Sequence, residues 1–328
     1  MSTRGTPSKH LAIRGGNAFE AAALSDALAQ LALGEDIDQE QVSDYRAFYS
    51  LNFPHIAHRH KMFCLAGADE RLVVQYFLPE QVHGYVMLCH GYYDHVGLFA
   101  YTIEYLMHHG LAVVTYDQIG HGLSSGAPAT IESFDRYVQA THAVHEHARN
   151  ELHIHGAWHW VGQSMGGAIV MEYLHQYSPD EGKYGEIVLL APLIRPYAWW
   201  INRWVFAIAK RSITERPRVL TNNAENPEFH DLQEIDPLQA RILPVAWVQA
   251  MVDWSKRFVS YPRSELAPKL LQGDADRTVD WKFNIRTYER RYPNAHHFIV
   301  PGGHHHLANE SPEKRQMMWT FLDQHCDW

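Results

Sequence analysis

The sequence predicts an α/β fold: a mostly parallel central sheet with helices on both faces and an inserted helical lid. Three observations lead there. From Met62 onward, short apolar runs alternate with longer segments of helical periodicity. The runs are almost continuously apolar, as in strands covered on both sides, rather than alternating as in half-exposed ones. One connection, residues 191–268, is too long for a single crossover helix and shows no clear strand, so it reads as an insertion.

Residues 17–50 read as one or two helices, because Phe19, Leu24, Leu28 and Leu31 recur at helical spacing and Gly34 can close the first. Strands are expected at 71–78, 85–89, 112–117, 158–161, 187–190, 269–271 and 297–300, and helices at 99–109, 133–152, 168–177 and 313–325. The chain then divides into an N-terminal helical extension (1–60), a core (61–192 and 264–328) and the lid (193–263). At 328 residues, one α/β unit carrying an insertion fits as well as two domains.

Composition removes several function classes. The 28 Lys+Arg against 37 Asp+Glu leave a net charge of -9, without the basic footprint that nucleic-acid binding requires. The 24 histidines raise metal binding and pH switching as possibilities. His58/His60, His145/His147 and His153/His155 do not follow a zinc-hydrolase spacing, and no metal or other cofactor is expected. Cys64, Cys89 and Cys326 are odd in number and widely spaced, which predicts neither a disulfide framework nor a Cys-x-x-Cys site and suggests a reducing compartment. Residues 1–18 lack the apolar core of a secretory signal, and the greasy stretch 197–209 is short and interrupted by Asn202 and Arg203. A cytoplasmic location is expected.

The chemistry-bearing residues sit at strand ends. Gly162-Gln163-Ser164-Met165-Gly166 fits Gly-x-Ser-x-Gly between an apolar strand and a helix, the setting of a nucleophile elbow. A serine hydroxyl needs a base, and the base needs an orienting carboxylate. Both are expected after Ser164, acid before histidine. Gly273-Asp274-Ala275-Asp276-Arg277 and Pro301-Gly302-Gly303-His304-His305-His306 each follow a predicted strand. Local reasoning leaves Asp274, Asp276 and Asp280 open, and likewise the three histidines. For an oxyanion hole, the donors are the N–H of Met165 and, from the loop His90-Gly91-Tyr92-Tyr93-Asp94-His95, the N–H of Tyr92. His90 and His121, each beside a glycine, are expected to brace active-site loops rather than transfer protons.

Over residues 62–325 the chain resembles the α/β-hydrolases, and within them the monoacylglycerol lipase and lysophospholipase group. The resemblance rests on His90-Gly91 with Asp94-His95, Asp117-Gln118-Ile119-Gly120-His121-Gly122-Leu123-Ser124, Gly162-Gln163-Ser164-Met165-Gly166-Gly167, Gly273-Asp274-Ala275-Asp276-Arg277 and His305-His306-Leu307-Ala308-Asn309-Glu310. It selects Asp276 through Gly-x-x-Asp and His305 through His-x-Leu-x-Asn-Glu. It implies a serine esterase with the triad Ser164, His305 and Asp276. The family's usual Glu is Asp94 here, and its Arg-Tyr pair is Leu98-Phe99, so contacts near the oxyanion loop are expected to differ. The first 60 residues have no counterpart in compact members of the group.

The lid holds ten Lys+Arg and seven Asp+Glu, a net +3 in an acidic chain. Within it, Tyr197, Trp200, Ile201, Trp204, Val205 and Ile208 share one helix face, expected to cover an acyl pocket, with Trp200, Trp204 and Ile208 touching substrate. The opposite side mixes aromatic and cationic groups as interfacial helices do, which points to peripheral contact with a lipid surface. The expected substrate is a small-molecule acyl ester or lipid, with lysophospholipids and monoacylglycerols foremost. The alternatives are a carboxylesterase or thioesterase for small soluble esters, and a catalytically silent hydrolase-fold binding module.

Overall fold

Among the residues described by the computed structural model (19–177, 184–200 and 212–328), ten strands form two sheets. They are β1 (His58–Gly67), β2 (Glu70–Pro79), β3 (Gly84–Cys89), β4 (Leu111–Tyr116), β5 (Trp158–Gln163), β6 (Tyr184–Leu190), β7 (Glu215–Pro217), β8 (Ile242–Pro244), β9 (Lys269–Gly273) and β10 (His296–Val300). The main sheet has the order β1-β2-β4-β3-β5-β6-β9-β10. Its β1-β2 and β2-β4 pairs are antiparallel and all others parallel. The α/β-hydrolase fold expected from the sequence is the fold observed.

The continuous apolar runs have a direct cause. Along β4, Leu111 and Val113 enter one apolar cluster while Ala112, Val114 and Tyr116 enter the other, and all six residues of the strand are buried. One face is covered by α4 (Phe134–Glu151), α5 (Met165–Gln176), α7 (Val245–Ser260) and α8 (Trp281–Arg291). The other carries α1 (Ala21–Gln30), α2 (Ser43–Phe48), α3 (Ala100–His108), α6 (Pro227–Ile235) and α9 (Pro312–His325).

Several starts are written in the local sequence. Ser133 caps α4 by accepting from the Asp135 N–H at 3.2 Å, and Asn226 caps α6, whose first residue is Pro227. Asp280 caps α8 through the Phe283 N–H at 3.3 Å. The periodicity missed α8 because Lys282, Arg286, Glu289, Arg290 and Arg291 leave only a narrow apolar stripe. It also missed β1, which opens on His58, Arg59, His60 and Lys61. The hairpin tip to β2 is Ala68-Asp69, both at positive φ (51° and 61°), so it lacks the Asn-Gly or Asp-Gly signature of a two-residue turn.

The N-terminal helices cover the sheet at the β1-β2 hairpin, with Leu24, Leu28, Tyr45 and Phe48 in the same cluster as Met62, Cys64, Val73 and Phe77. The Gly34 and Ile37 N–H groups donate to Cys64 and Met62 carbonyls at 2.8 and 2.9 Å. Because β1 starts at His58, the boundary expected at residue 60 falls inside a strand.

The segment between β6 and β9 is not strandless as expected. β7 and β8 pair antiparallel, Arg216 opposite Leu243, but each strand is three residues long and ends on proline, too short for a period to show. The buried face of α7 (Trp247, Ala250, Met251, Trp254, Phe258) joins the core. Its anchor is Glu172 of α5, which accepts from Trp254 Nε1 (3.0 Å), Arg257 (3.0 Å) and the Tyr261 hydroxyl (2.8 Å). No described helix is long and apolar enough to cross a membrane. All three cysteines are free and buried.

Candidate active site

β5, β6 and β9 are neighbours, so the segment leaving the carboxyl end of β6 emerges between the loops that follow β5 and β9. Ser164 lies between β5 and α5, at the N-cap of the helix, with φ 53° and ψ -114°, a strained conformation for a residue with a Cβ. The surrounding glycines make that turn possible. A Cβ on Gly166 would lie 2.0 Å from the Cys89 carbonyl oxygen, and one on Gly162 would lie 2.6 Å from the Gly166 backbone. The Ser164 N–H donates to Leu190 at 2.8 Å, and its carbonyl accepts from Leu193 at 3.0 Å, tying the elbow to the β6 exit.

Of the three adjacent histidines, His305 lies with Nε2 2.8 Å from Ser164 Oγ and Nδ1 2.7 Å from Asp276 Oδ2. A carboxylate only accepts, so Nδ1 carries the proton and Nε2 presents its lone pair to the serine hydroxyl. His304 pairs with Glu310, and His306 Nε2 faces Asp94 Oδ2 at 3.2 Å. The acidic candidates separate as well. Asp274 accepts from the Gly302 N–H, and Asp280 caps α8 while pairing with Arg195. Only Asp276 reaches an imidazole among these three.

Asp276 is held by more than His305. Oδ1 accepts from the Thr278 and Val279 N–H groups at 2.7 and 3.1 Å, and Oδ2 from Gln272 Nε2 at 3.0 Å. Burial opposes its ionisation, but His305 and these donors outweigh that and keep its pKa below the ordinary value. Burial likewise disfavours a charged His305, yet the neighbouring Asp276 carboxylate raises its pKa. The base loop is docked by Gln163, whose Oε1 accepts from the Ala308 N–H at 3.0 Å, and by Asn309, which donates to the Leu98 carbonyl at 2.7 Å. Sequence reasoning did not find these supports, because each joins residues from distant strand ends.

The loop after β3 lies against the nucleophile: a Cβ on Gly91 would fall 3.4 Å from Ser164 Cβ and 2.5 Å from Asp94 Oδ2. Tyr93 has φ 69°, and the Asp94 N–H closes onto the Gly91 carbonyl at 3.2 Å. As first residue of α5, Met165 has an N–H without an intrahelical acceptor. His90 Nδ1 donates to the Gly91 carbonyl (2.7 Å) while Nε2 accepts from the Gln118 N–H (2.8 Å). Burial pushes its pKa down to about 3, and that of His121, whose Nδ1 lies 2.9 Å from the Ile119 carbonyl, down to about 4. Both rings are neutral near pH 7 and bonded to the backbone of the loops around the site.

A cavity of about 400 Å³ opens beside Ser164. Leu193, Leu243, Trp247, Met251 and Val279 give it an apolar wall, and Arg216, Arg218 and Arg277 line it as well. Asp94 is the one carboxylate among its described lining residues. Trp200, expected over the acyl pocket, is 66% exposed and is not among those residues; Trp204 and Ile208 lie outside the described part of the chain. The indole at the cavity belongs instead to Trp247 of α7, where Trp247, Met251 and Trp254 at helical spacing were the available signal. Among the described residues, no group of three or more His, Cys, Asp or Glu could hold a metal ion.

Residues 80–312 match the family described as serine aminopeptidase, S33. The chain is 26% identical to the monoacylglycerol lipase of Mycolicibacterium smegmatis over 268 residues, covering 79% of this chain and 92% of that one. It is 25% identical to human monoglyceride lipase over 285 residues, covering 84% and 91%. The crystal structure of the Paleococcus ferrophilus monoacylglycerol lipase superimposes with a TM-score of 0.65 at 20% identity, covering 77% of this chain and 97% of that one. With an elbow serine after β5 and the predicted acid and histidine loops after β9 and β10, the chain belongs to the serine aminopeptidase S33 family of hydrolases, in its monoacylglycerol lipase-like group.

Proposed function

We propose that the protein is a serine carboxylic-ester hydrolase that cleaves acyl-chain lipid esters through an acyl-enzyme. The observation that carries this reading is the hydrogen-bonded run Ser164-His305-Asp276 beside an apolar-walled cavity. In the reaction, Ser164 Oγ attacks the ester carbonyl carbon as its proton passes to His305 Nε2. Asp276 holds the imidazole tautomer and stabilises the imidazolium. The N–H groups of Tyr92 and Met165 receive the oxyanion; one such donor is typically worth about 2.7–4 kcal/mol in the transition state. Collapse of the intermediate breaks the bond to the alcohol, which takes the proton from His305. Water then repeats the sequence on the acyl-serine and releases the fatty acid. The segment 193–263 acts as the lid, bringing Leu243, Trp247 and Met251 to the acyl chain.

The names of the Mycolicibacterium smegmatis and human relatives support a lipid ester rather than a small soluble one. An aminopeptidase needs a carboxylate for the substrate's amine. Here Asp94 faces His306, and three arginines line the same cavity, which favours the esterase reading.

The decisive experiment is turnover of a medium-chain aryl ester by Ser164→Ala. Activity should vanish, along with fluorophosphonate labelling; retention of more than a few percent overturns the assignment. In an acetyl-to-dodecanoyl series, a steep rise in kcat/KM supports a lipid substrate, and a peak at the shortest chains removes it.

A further inference from the structure

Three distant parts of the chain meet behind the loop that carries Tyr92. Tyr49 comes from the end of α2, His95 from the end of that loop, and Asp236 from the end of α6. The Tyr49 hydroxyl donates to Asp236 Oδ1 at 2.7 Å, and His95 Nε2 donates to Asp236 Oδ2 at 2.8 Å. The Leu238 N–H adds a third bond to Oδ1 at 2.9 Å. All three side chains are buried. Among the described residues, no lysine or arginine forms an ion pair with the Asp236 carboxylate, and Arg241 donates only to its main-chain carbonyl (3.4 Å), so the buried carboxylate depends on the phenol, the imidazole and one backbone amide.

The arrangement grips the loop rather than merely touching it. His95 Nδ1 accepts from the Gly97 N–H, so both ring nitrogens are committed. The Tyr49 ring stands edge-on to His95 at 4.9 Å and covers Gly97, where a Cβ would fall 2.6 Å from Tyr49 Cγ. The next residue, Val96, donates its N–H to Asp117 Oδ1 at 2.8 Å. His90 holds the other end of the loop. Between these anchors lies one turn, with Tyr92 three residues before His95.

We propose that Tyr49 and Asp236 are positioning residues for the Tyr92 N–H, acting through His95, so that α2 forms part of the catalytic apparatus. The inference rests on the esterase reading above. A preorganised donor gains its effect by being held in place before charge develops, so loosening its anchor costs the transition state more than the bound substrate.

The test is Tyr49→Phe in the full chain, with kcat expressed per serine titrated by a fluorophosphonate. We expect kcat to fall about tenfold with KM within about twofold. Binding of a trifluoromethyl ketone, which forms an oxyanion on Ser164, should weaken by the same factor as kcat/KM. A destabilised control, Leu322→Ala on α9, should lower Tm and leave kcat per titrated serine unchanged. A wild-type kcat in Tyr49→Phe overturns the proposal whatever its Tm. Should that variant not fold, the isosteric Asp236→Asn carries the same test, and a wild-type kcat there overturns the proposal equally. Ser164→Ala in the same assay separates the two failures: activity surviving there overturns the esterase reading itself, whereas a dead Ser164→Ala beside a fully active Tyr49→Phe overturns only the positioning role.

Discussion

The indole of Trp247 lies flat on the ring of Tyr92, with centroids 3.6 Å apart and planes 17° from parallel. A helix of the segment between β6 and β9 thus presses on the residue whose N–H is proposed to bind the oxyanion. The Tyr92 hydroxyl is held separately, donating to the Ala129 carbonyl at 2.8 Å. Trp247→Ala removes both the stack and part of the cavity wall. We expect a stability loss of about 3–5 kcal/mol. We also expect a drop in kcat/KM that is larger for dodecanoyl than for acetyl esters, with Trp247→Phe recovering most of it. Equal losses across the series would show that the indole does not contact the acyl chain.

Asp276→Asn tests orientation without changing shape. The Asp276 Oδ2 accepts from both His305 and Gln272, so an amide NH2 in that place turns the imidazole to the wrong tautomer. By analogy with other triads, kcat should fall by about 10⁴ while the fold persists. Asp274→Asn, which alters only the loop bond to Gly302, should stay within about twofold of wild type.

The rate has a predictable acid limb. His305 must be neutral to take the serine proton, and its pKa is raised above the ordinary imidazole value. Activity should therefore rise with pH, with the midpoint of kcat/KM above about 6.5. A midpoint at or below that value would contradict the Asp276-His305 coupling described above.

Stability should fail on the acid side for a different reason. His60, His90, His121 and His145 are buried, and burial lowers their pKa values to about 4, 3, 4 and 3. In the unfolded chain they titrate near ~6.5, so their contribution is present above that pH and is lost as pH falls toward their folded values. Near pH 5 each costs roughly 1 kcal/mol per pH unit, and unfolding takes up about four protons from this group. His95 and His305 have raised values, so their contribution runs the other way: it is complete below ~6.5 and is lost as pH rises through their folded pKa. Calorimetry between pH 7 and 5 should show Tm falling steeply, and a flat Tm would refute the assignment of these four rings as neutral.

Much of the core was legible because burial on both faces writes itself as nearly unbroken apolar runs, as along β4 and at Ile187–Leu190 of β6. Gly162, Gly166 and Gly91 were legible too, since close backbone approach admits no Cβ. β1 escaped notice because its first residues are polar and its turn uses Ala68-Asp69, while β7 and β8 are too short to carry a period. The segment between β6 and β9 misled most. Its richest aromatic stretch drew attention to Trp200, but the described cavity wall takes Trp247.

By itself the sequence determined the fold class, the elbow at Ser164 and the two loops that had to contain its partners, since local composition and strand-end position express those. Local sequence left the aspartate and the three consecutive histidines open; the family resemblance selected Asp276 and His305, and tertiary structure is what brings those two to the serine. Neighbours in sequence point in different directions at a strand end, so His304 reaches Glu310, His305 reaches Asp276 and Ser164, and His306 reaches Asp94. The same holds for Tyr49, His95 and Asp236, separated by up to 187 residues along the chain and joined only once the sheet, the N-terminal helices and the segment between β6 and β9 have packed together.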